Sequence, residues 1–125
     1  MKVLVLDRSG GLIKRITSLI SETNEGLTFY SAESCAAATH LLKQCYPDAV
    51  LLDLNLPGNK AIKLLEDIKQ SNKKTVVIVW HTHADEKSLR VCKELGVDYL
   101  LDKYDEFEKI PELISTIRFN SSLDT

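Results

Sequence analysis

Five short runs of Val, Leu and Ile alternate along the chain with five segments whose apolar residues recur every three or four positions. The runs lack strict apolar–polar alternation, which predicts strands that are buried on both faces of a sheet. The predicted strands cover residues 2–6, 27–30, 49–52, 76–80 and 97–101. The periodic segments predict helices that pack one apolar face against this sheet.

Alternating strands and helices imply an α/β fold with a parallel sheet and helices on both faces. Right-handed crossovers leave few topologies, and a doubly wound, flavodoxin-like sheet of order 2-1-3-4-5 with five helices is the simplest. The 125 residues fit one domain, predicted to span 1–119, with a polar C-terminal tail at 120–125. Asp105 and Glu108 have the spacing of a capping box, whereas Pro111 indicates a kink or a later helix start.

Composition narrows the classes of function. Sixteen basic residues nearly balance eighteen acidic ones, which argues against a dedicated nucleic-acid surface. No apolar run approaches the roughly 20 residues that would span a bilayer, so no membrane contact is expected. Three cysteines occur without metal-ligand spacing, which is typical of reduced thiols in a cytoplasmic protein.

Ligands of such sheets bind beyond the carboxyl ends of the strands. The side chains predicted there are those of Asp7, Asp53, His81 and Lys103. Asp53 ends a buried apolar run and is followed by the turn sequence LNLPG. Such a strand could hold a carboxylate where a metal and a phosphoryl group meet, or Asp53 could simply cap the turn.

Three segments resemble the response-regulator receiver domains of two-component systems: MKVLVLD, DAVLLDLNLPGNKAIKLLEDIK and GVDYLLDKYDEF. The likeness covers essentially the whole chain, with the motifs in the expected order. It implies that Asp53 accepts a phosphoryl group from a sensor histidine kinase or a phosphotransfer protein, forming an acyl phosphate. It also implies that Lys103 contacts the phosphoryl oxygens. A Mg²⁺ ion would be held by Asp7, Asp53 and the backbone carbonyl of Asn55.

Three positions depart from the family pattern. Arg8 stands where a second acid of the metal site is expected, so Mg²⁺ binding should be weakened. Arg8 could instead bridge Asp7 and Asp53 in place of the cation, or point to solvent. His81 replaces a hydroxyl that binds the phosphoryl group; it could make that contact itself or be a solvated loop residue. Leu100 replaces an aromatic residue that rotates on activation.

The resemblance implies no enzymatic activity beyond phosphorylation and dephosphorylation at Asp53. No effector segment follows, so the expected output is contact with a downstream protein through the fourth helix, fifth strand and fifth helix. The main alternative is a pseudo-receiver that binds partners without phosphorylation, which the three departures favour. An enzyme on the same fold is disfavoured, because the chain lacks a Gly-rich phosphate loop.

The sequence HTHAD places His81, His83 and Asp85 at the spacing of zinc ligands in metallo-β-lactamase-like hydrolases. Those enzymes need further histidines downstream, and the sequence has none after His83. A hydrolytic zinc site is therefore not expected.

Overall fold

The computed structural model describes residues 1–72 and 74–123, in which five strands alternate with five helices. The strands are β1 (Lys2–Leu6), β2 (Thr28–Ala32), β3 (Ala49–Asp53), β4 (Val76–His81) and β5 (Tyr99–Asp102). The helices are α1 (Gly10–Thr23), α2 (Cys35–Cys45), α3 (Lys60–Ser71), α4 (Glu86–Glu94) and α5 (Ile110–Leu123). Short 3-10 helices, Pro57–Asn59 and Phe107–Lys109, precede α3 and α5.

The five strands form one parallel sheet of order β2-β1-β3-β4-β5, as the alternation of segments predicted. Because the strands are parallel, the carboxyl ends of all five lie along one edge of the sheet. The central strand β3 is buried throughout, including Asp53 at its end. This edge therefore holds a carboxylate inside the protein.

Alternate residues of the strands feed two hydrophobic layers, one on each face of the sheet. One layer joins β1, β3 and β4 to α2, α3 and α4, with Leu4, Leu52 and Leu65 fully buried. The other joins the same strands to α1 and α5, with Leu51, Trp80 and Ile114 almost completely buried. Burial on both faces explains why the strand sequences are continuously apolar.

The predicted boundaries of β3 and β4 differ from the structure by one residue, and those of β2 and β5 by up to two. β2 runs from Thr28 to Ala32 rather than over 27–30, because polar Ser31 still pairs with Val5 of β1. β5 runs from Tyr99 to Asp102 rather than over 97–101. Just before it, Asp98 donates its backbone N–H to the carbonyl of Val77, and its carboxylate accepts the backbone N–H of Val77.

Helix α5 extends into the segment predicted as a polar tail, 120–125, and ends at Leu123. Ile114 and Ile117 are buried against the sheet, whereas Asn120 and Ser121 are exposed. The predicted division between domain and tail after residue 119 stays a prediction. Positions 124 and 125 of that prediction lie outside the described residues. Within the described ranges, no helix is long and apolar enough to cross a membrane.

The predicted capping box of Asp105 and Glu108 does not form. The acid that caps this turn is Asp102, whose Oδ1 accepts hydrogen bonds of 2.9 Å from the backbone N–H groups of Tyr104 and Asp105. The later helix start indicated by Pro111 is confirmed, because α5 begins at Ile110. Proline is tolerated there, since the first turn of a helix leaves its N–H groups unpaired.

A buried amide joins the end of α1 to the start of α5. The side-chain Nδ2 of Asn24 donates to the carbonyls of Ile20 and Pro111, both at 3.3 Å. Its Oδ1 accepts from the hydroxyl of Ser115 at 2.9 Å. Asn24 is only 6% exposed, so these partners replace water.

Replacing Asn24 by alanine should lower the free energy of unfolding by about 2 kcal/mol, because buried polar groups of α5 lose their partner. Urea denaturation would measure the change. Asn120→Ala is the matched control, since Asn120 is exposed on the same helix α5 and its replacement should change stability little. Equal stabilities of the two variants would contradict the role given to Asn24.

Candidate functional site

Three strand ends bring charged side chains to one point on the carboxyl edge of the sheet. Asp7 follows β1, Asp53 is the last residue of β3, and Lys103 follows β5. The backbone N–H of Lys103 donates to the carbonyl of His81 at 2.8 Å, which ties the segment after β5 to the end of β4. The predicted meeting of Asp7, Asp53 and Lys103 is therefore what the structure contains.

The ammonium group of Lys103 bridges the two carboxylates. Its Nζ lies 2.7 Å from Asp7 Oδ2 and 2.9 Å from Asp53 Oδ1. The side chains of Asp7 and Asp53 are only 3% and 2% exposed, and that of Lys103 is 12% exposed. Two buried carboxylates so close together repel each other unless a cation lies between them, and Lys103 supplies that cation.

Backbone N–H groups hold each carboxylate in place. Asp7 Oδ1 accepts from the N–H of Ser9, and Asp53 Oδ1 accepts from the N–H of Asn55, both at 2.9 Å. Asp53 therefore does cap its turn, but through one oxygen only. Among the described residues, Asp53 Oδ2 has no hydrogen-bond or ion-pair partner, so this oxygen is available to react.

The side chain of Asn55 clamps the turn after β3 to the loop after β4. Its Nδ2 donates to the carbonyl of Thr82 at 2.9 Å, and its Oδ1 accepts from the N–H of Thr82 at 2.8 Å. The sequence assigned only the backbone carbonyl of Asn55 to the site. Its side chain gives the turn beside Asp53 a defined position relative to β4.

A cleft opens above Asp53 between the N-terminal part of α1 and the segment after β5. The cleft is lined by Asp7, Arg8, Ser9, Gly11, Leu12, Arg15, Asp53, Asn55, Thr82, Lys103, Tyr104, Asp105, Phe107 and Glu108. Three of them, Ser9, Thr82 and Tyr104, carry hydroxyl groups, and Thr82 is the one that follows His81 directly in the chain. A search for a hydroxyl adjacent to His81 in the sequence would have found it.

His81 ends β4 and is half-buried, so it is a strand residue rather than a loop residue. Its Nδ1 is buried without a hydrogen-bond partner among the described residues. Its contact with a phosphoryl group stays a prediction. Leu100 packs with the α2–α4 layer and Tyr99 with the α1–α5 layer, so the two face opposite sides of β5, as expected.

Arg8 is exposed and lines the cleft, and within the described residues it forms no ion pair. Lys103, rather than Arg8, takes the bridging position between the two carboxylates. A Mg²⁺ site formed by Asp7, Asp53 and the carbonyl of Asn55 stays a prediction. In the described part of the chain, no cluster of three His, Cys, Asp or Glu side chains could hold a metal.

An aromatic stack below the cleft was not predicted. The ring of Trp80 stacks on that of Phe107, with centroids 6.3 Å apart and planes 12° apart. Lys103 Nζ lies over the Trp80 ring at 5.3 Å, and the guanidinium of Arg15 lies over Phe107 at 5.2 Å. In the sequence, the position of Trp80 at the end of β4, beside the predicted site, could have indicated that an aromatic ring lies near the charged residues.

The turn between β5 and α5 carries two acids with altered pKa values. The backbone N–H groups of Asp105 and Tyr104 lower the pKa of Asp102 below its ordinary value of 3.8, and the nearby imidazoles act in the same direction. The N–H of Asp102 likewise lowers the pKa of Glu106, with a smaller effect from Lys109. Both acids are therefore ionised at neutral pH, and they order the segment that carries Lys103.

Comparison with known proteins identifies this arrangement. Residues 3–115 match the family described as the response regulator receiver domain. The chain belongs to this family. Membership in this family supports a place in phosphorelay signalling.

Curated relatives share moderate sequence identity with this receiver domain. The transcriptional regulatory protein MalR of Bacillus subtilis is 31% identical over 88 residues, which are 70% of this chain and 37% of MalR. Sporulation initiation phosphotransferase F of the same organism is 26% identical, with 76% of this chain and 75% of that protein covered. The chain spans less than half the length of several relatives, including MalR.

Solved structures confirm the fold. A CheY-like response regulator receiver domain protein from Methanospirillum hungatei superposes with a TM-score of 0.87 and 15% identity, covering 99% of this chain and 98% of that chain. At this identity the similarity concerns the fold alone.

Lowering the pH should reduce the free energy of unfolding of this receiver domain, in part because Asp102 becomes protonated. Its pKa is lowered by folding, so its stabilising contribution is complete above the unfolded-state pKa and is lost as pH falls through the folded-state value. Asp102→Asn keeps an oxygen acceptor without the charge. The stability difference between wild type and variant should therefore shrink from pH 5 to pH 3 in urea denaturation.

Asp105→Asn is the control for this experiment, because the Asp105 carboxylate accepts no hydrogen bond within the described residues. Its difference from wild type should show a smaller dependence on pH. A wild-type advantage over Asp102→Asn that stays constant down to pH 3 would contradict the assignment.

Proposed function

We propose that Asp53 accepts a phosphoryl group from a sensor histidine kinase or a phosphotransfer protein. The observation that carries this proposal is the asymmetric environment of its buried carboxylate. Oδ1 is held by the backbone N–H of Asn55 and by Lys103, while Oδ2 has no partner among the described residues. A carboxylate held in this way presents one defined nucleophilic oxygen to the cleft.

The reaction follows from these contacts. A lone pair of Asp53 Oδ2 forms the new O–P bond, and the P–N bond of the donor phosphohistidine breaks. The bonding electron pair stays on the imidazole nitrogen, which takes up a proton. The product is an acyl phosphate, and the Lys103 ammonium, already 2.9 Å from Asp53, can pair with a phosphoryl oxygen.

Mg²⁺ is proposed as a weakly bound cofactor. Asp7, Asp53 and the carbonyl of Asn55 would hold it, and it would supply positive charge to offset that of the phosphoryl oxygens. Two features weaken its binding. Only two carboxylates are present where three are expected, and both are already paired with Lys103. Arg8 adds a further positive charge at the cleft.

In the family pattern a hydroxyl donates a hydrogen bond to the phosphoryl group, and we propose that residues at the end of β4 make this contact here. His81 stays our candidate, since its imidazole can donate a hydrogen bond and its Nδ1 is unpaired among the described residues. The neighbouring Thr82 lines the cleft and brings a hydroxyl to it. Replacing each in turn would separate the two contributions.

A phosphorylation-independent pseudo-receiver is the second candidate function. The bridge from Lys103 to Asp7 and Asp53 favours it, because an internal cation already offsets one of the two negative charges without a metal. In this state, Arg8, His81 and Leu100 would hold the domain in one conformation. Its output, like that of a phosphorylated domain, would be contact with a downstream protein in the cytoplasm rather than with nucleic acid or membrane.

Incubation with a small-molecule phosphodonor and Mg²⁺ should add one phosphoryl group to the protein, measured as intact mass. Asp53→Asn should abolish the gain, because the amide is a poor nucleophile. Asp67→Asn, which alters an exposed acid of α3, should leave the gain unchanged. Absence of any gain, while another receiver domain is modified in parallel, would reject the proposal in favour of the pseudo-receiver.

Replacing Arg8 by aspartate should raise Mg²⁺ affinity on the order of tenfold to a hundredfold, because the local charge becomes more negative by two units. Titration of Trp80 fluorescence with Mg²⁺ would measure it, since the chain has one tryptophan. Arg90→Asp makes the same charge change on α4, outside the cleft, and serves as the control. Equal Mg²⁺ affinities of the two variants would show that Arg8 does not limit metal binding.

A further inference from the structure

We infer that Trp80 is a positioning residue for phosphoryl transfer, whose ring face holds the Lys103 ammonium against the two carboxylates. The inference rests on the proposed function, because it assigns Trp80 a role through Lys103. The observation behind it is that one cation has two acids and an aromatic ring as its neighbours. Lys103 Nζ contacts Asp7 and Asp53 and also lies 5.3 Å from the centroid of the Trp80 ring.

The ammonium group of Lys103 forms ion pairs with the carboxylates of Asp7 and Asp53. Because the side chain of Lys103 is only 12% exposed, bulk water cannot fully solvate its charge. The electron-rich face of an indole ring attracts a cation within about 6 Å. The Trp80 ring, 5.3 Å from Lys103 Nζ, is thus a further partner for the ammonium group besides the two acids.

The need to fill space in the hydrophobic core does not by itself explain why residue 80 is a tryptophan. The ring is fully buried, and its Nε1 has no hydrogen-bond partner among the described residues. A buried, unpaired N–H is destabilising, and phenylalanine or leucine would occupy a core position without it. Tryptophan does offer the strongest aromatic face for binding a cation, and here a cation lies over it.

The ring is held firmly enough to position another group. Trp80 lies in β4, where its Cα pairs in register with Asp53 on one side and Leu101 on the other. Phe107 stacks on it nearly parallel, at 6.3 Å between centroids. Lysine, by contrast, is a flexible side chain with a compact charge. The rigid ring limits the positions that this flexible chain can take.

The consequence is clearest after phosphorylation. Phosphorylation converts the Asp53 carboxylate into an acyl phosphate, which removes part of the negative charge that holds the Lys103 ammonium group. The Trp80 face is unchanged by that reaction. It keeps the ammonium beside the acyl phosphate, where it can pair with a phosphoryl oxygen.

Fluorinated tryptophans test this role without removing the ring. Because the chain has one tryptophan, biosynthetic incorporation of 5-fluoro- and then 5,7-difluorotryptophan weakens the ring's attraction for a cation at position 80 alone. The rate of phosphoryl gain from a small-molecule donor should fall stepwise, by about threefold to tenfold across the series. Thermal unfolding of each protein checks that the fold is retained.

A second measurement reports on the contact itself. The single ¹⁹F resonance of the 5-fluorotryptophan protein should shift when Lys103 is replaced by methionine. Lys109→Met is the matched control, because Lys109 is exposed on the short helix Phe107–Lys109, and it should leave the resonance nearly unchanged. A resonance that responds equally to both substitutions would overturn the inference.

The two measurements separate failure of the inference from failure of the proposed function. If the unsubstituted protein gains no phosphoryl group, the proposed function fails, and the ¹⁹F comparison alone decides whether Trp80 holds Lys103. If it gains one and the rate is the same in all fluorinated proteins, Trp80 has no positioning role. A stepwise fall together with a Lys103-specific ¹⁹F shift supports the inference.

Discussion

The ion pairs of Lys103 with Asp7 and Asp53 are the interaction on which this site depends. Two carboxylates at neighbouring strand ends are almost completely buried, and water cannot offset their repulsion. One ammonium group, on the residue that follows β5, pairs with both carboxylates and offsets one of their two negative charges. The parallel sheet is what makes this possible, because it brings the ends of β1, β3 and β5 to one edge. The turn capped by Asp102 then orders the segment that carries the lysine.

Much of this arrangement could be predicted from the sequence. Apolar runs alternating with amphipathic segments determine the layers and strand order, since few right-handed topologies are compatible with them. The strand order in turn places Asp7, Asp53 and Lys103 at one edge. What could not be predicted were details set by single side chains. The Asp98 carboxylate takes the backbone N–H of Val77 just before β5, and Lys103 rather than Arg8 bridges the acids.

The stacking of Trp80 on Phe107 could not be predicted from the sequence for a different reason. Trp80 and Phe107 are separated by a helix and a strand along the chain, so no local periodicity relates them. Their contact follows only from the way the segment after β5 folds back over β4. The same holds for Asn55, whose side chain reaches Thr82 across two strand ends. Contacts of this kind depend on loop geometry, which composition and spacing do not specify.

The Asn55–Thr82 clamp makes the positions of two loops beside Asp53 depend on each other. Its two hydrogen bonds join the side chain of Asn55, in the turn after β3, to the backbone of Thr82, in the loop that leads into α4. Neither loop can move away from the other unless these bonds break. The link does not pass through Leu100, which lies in β5.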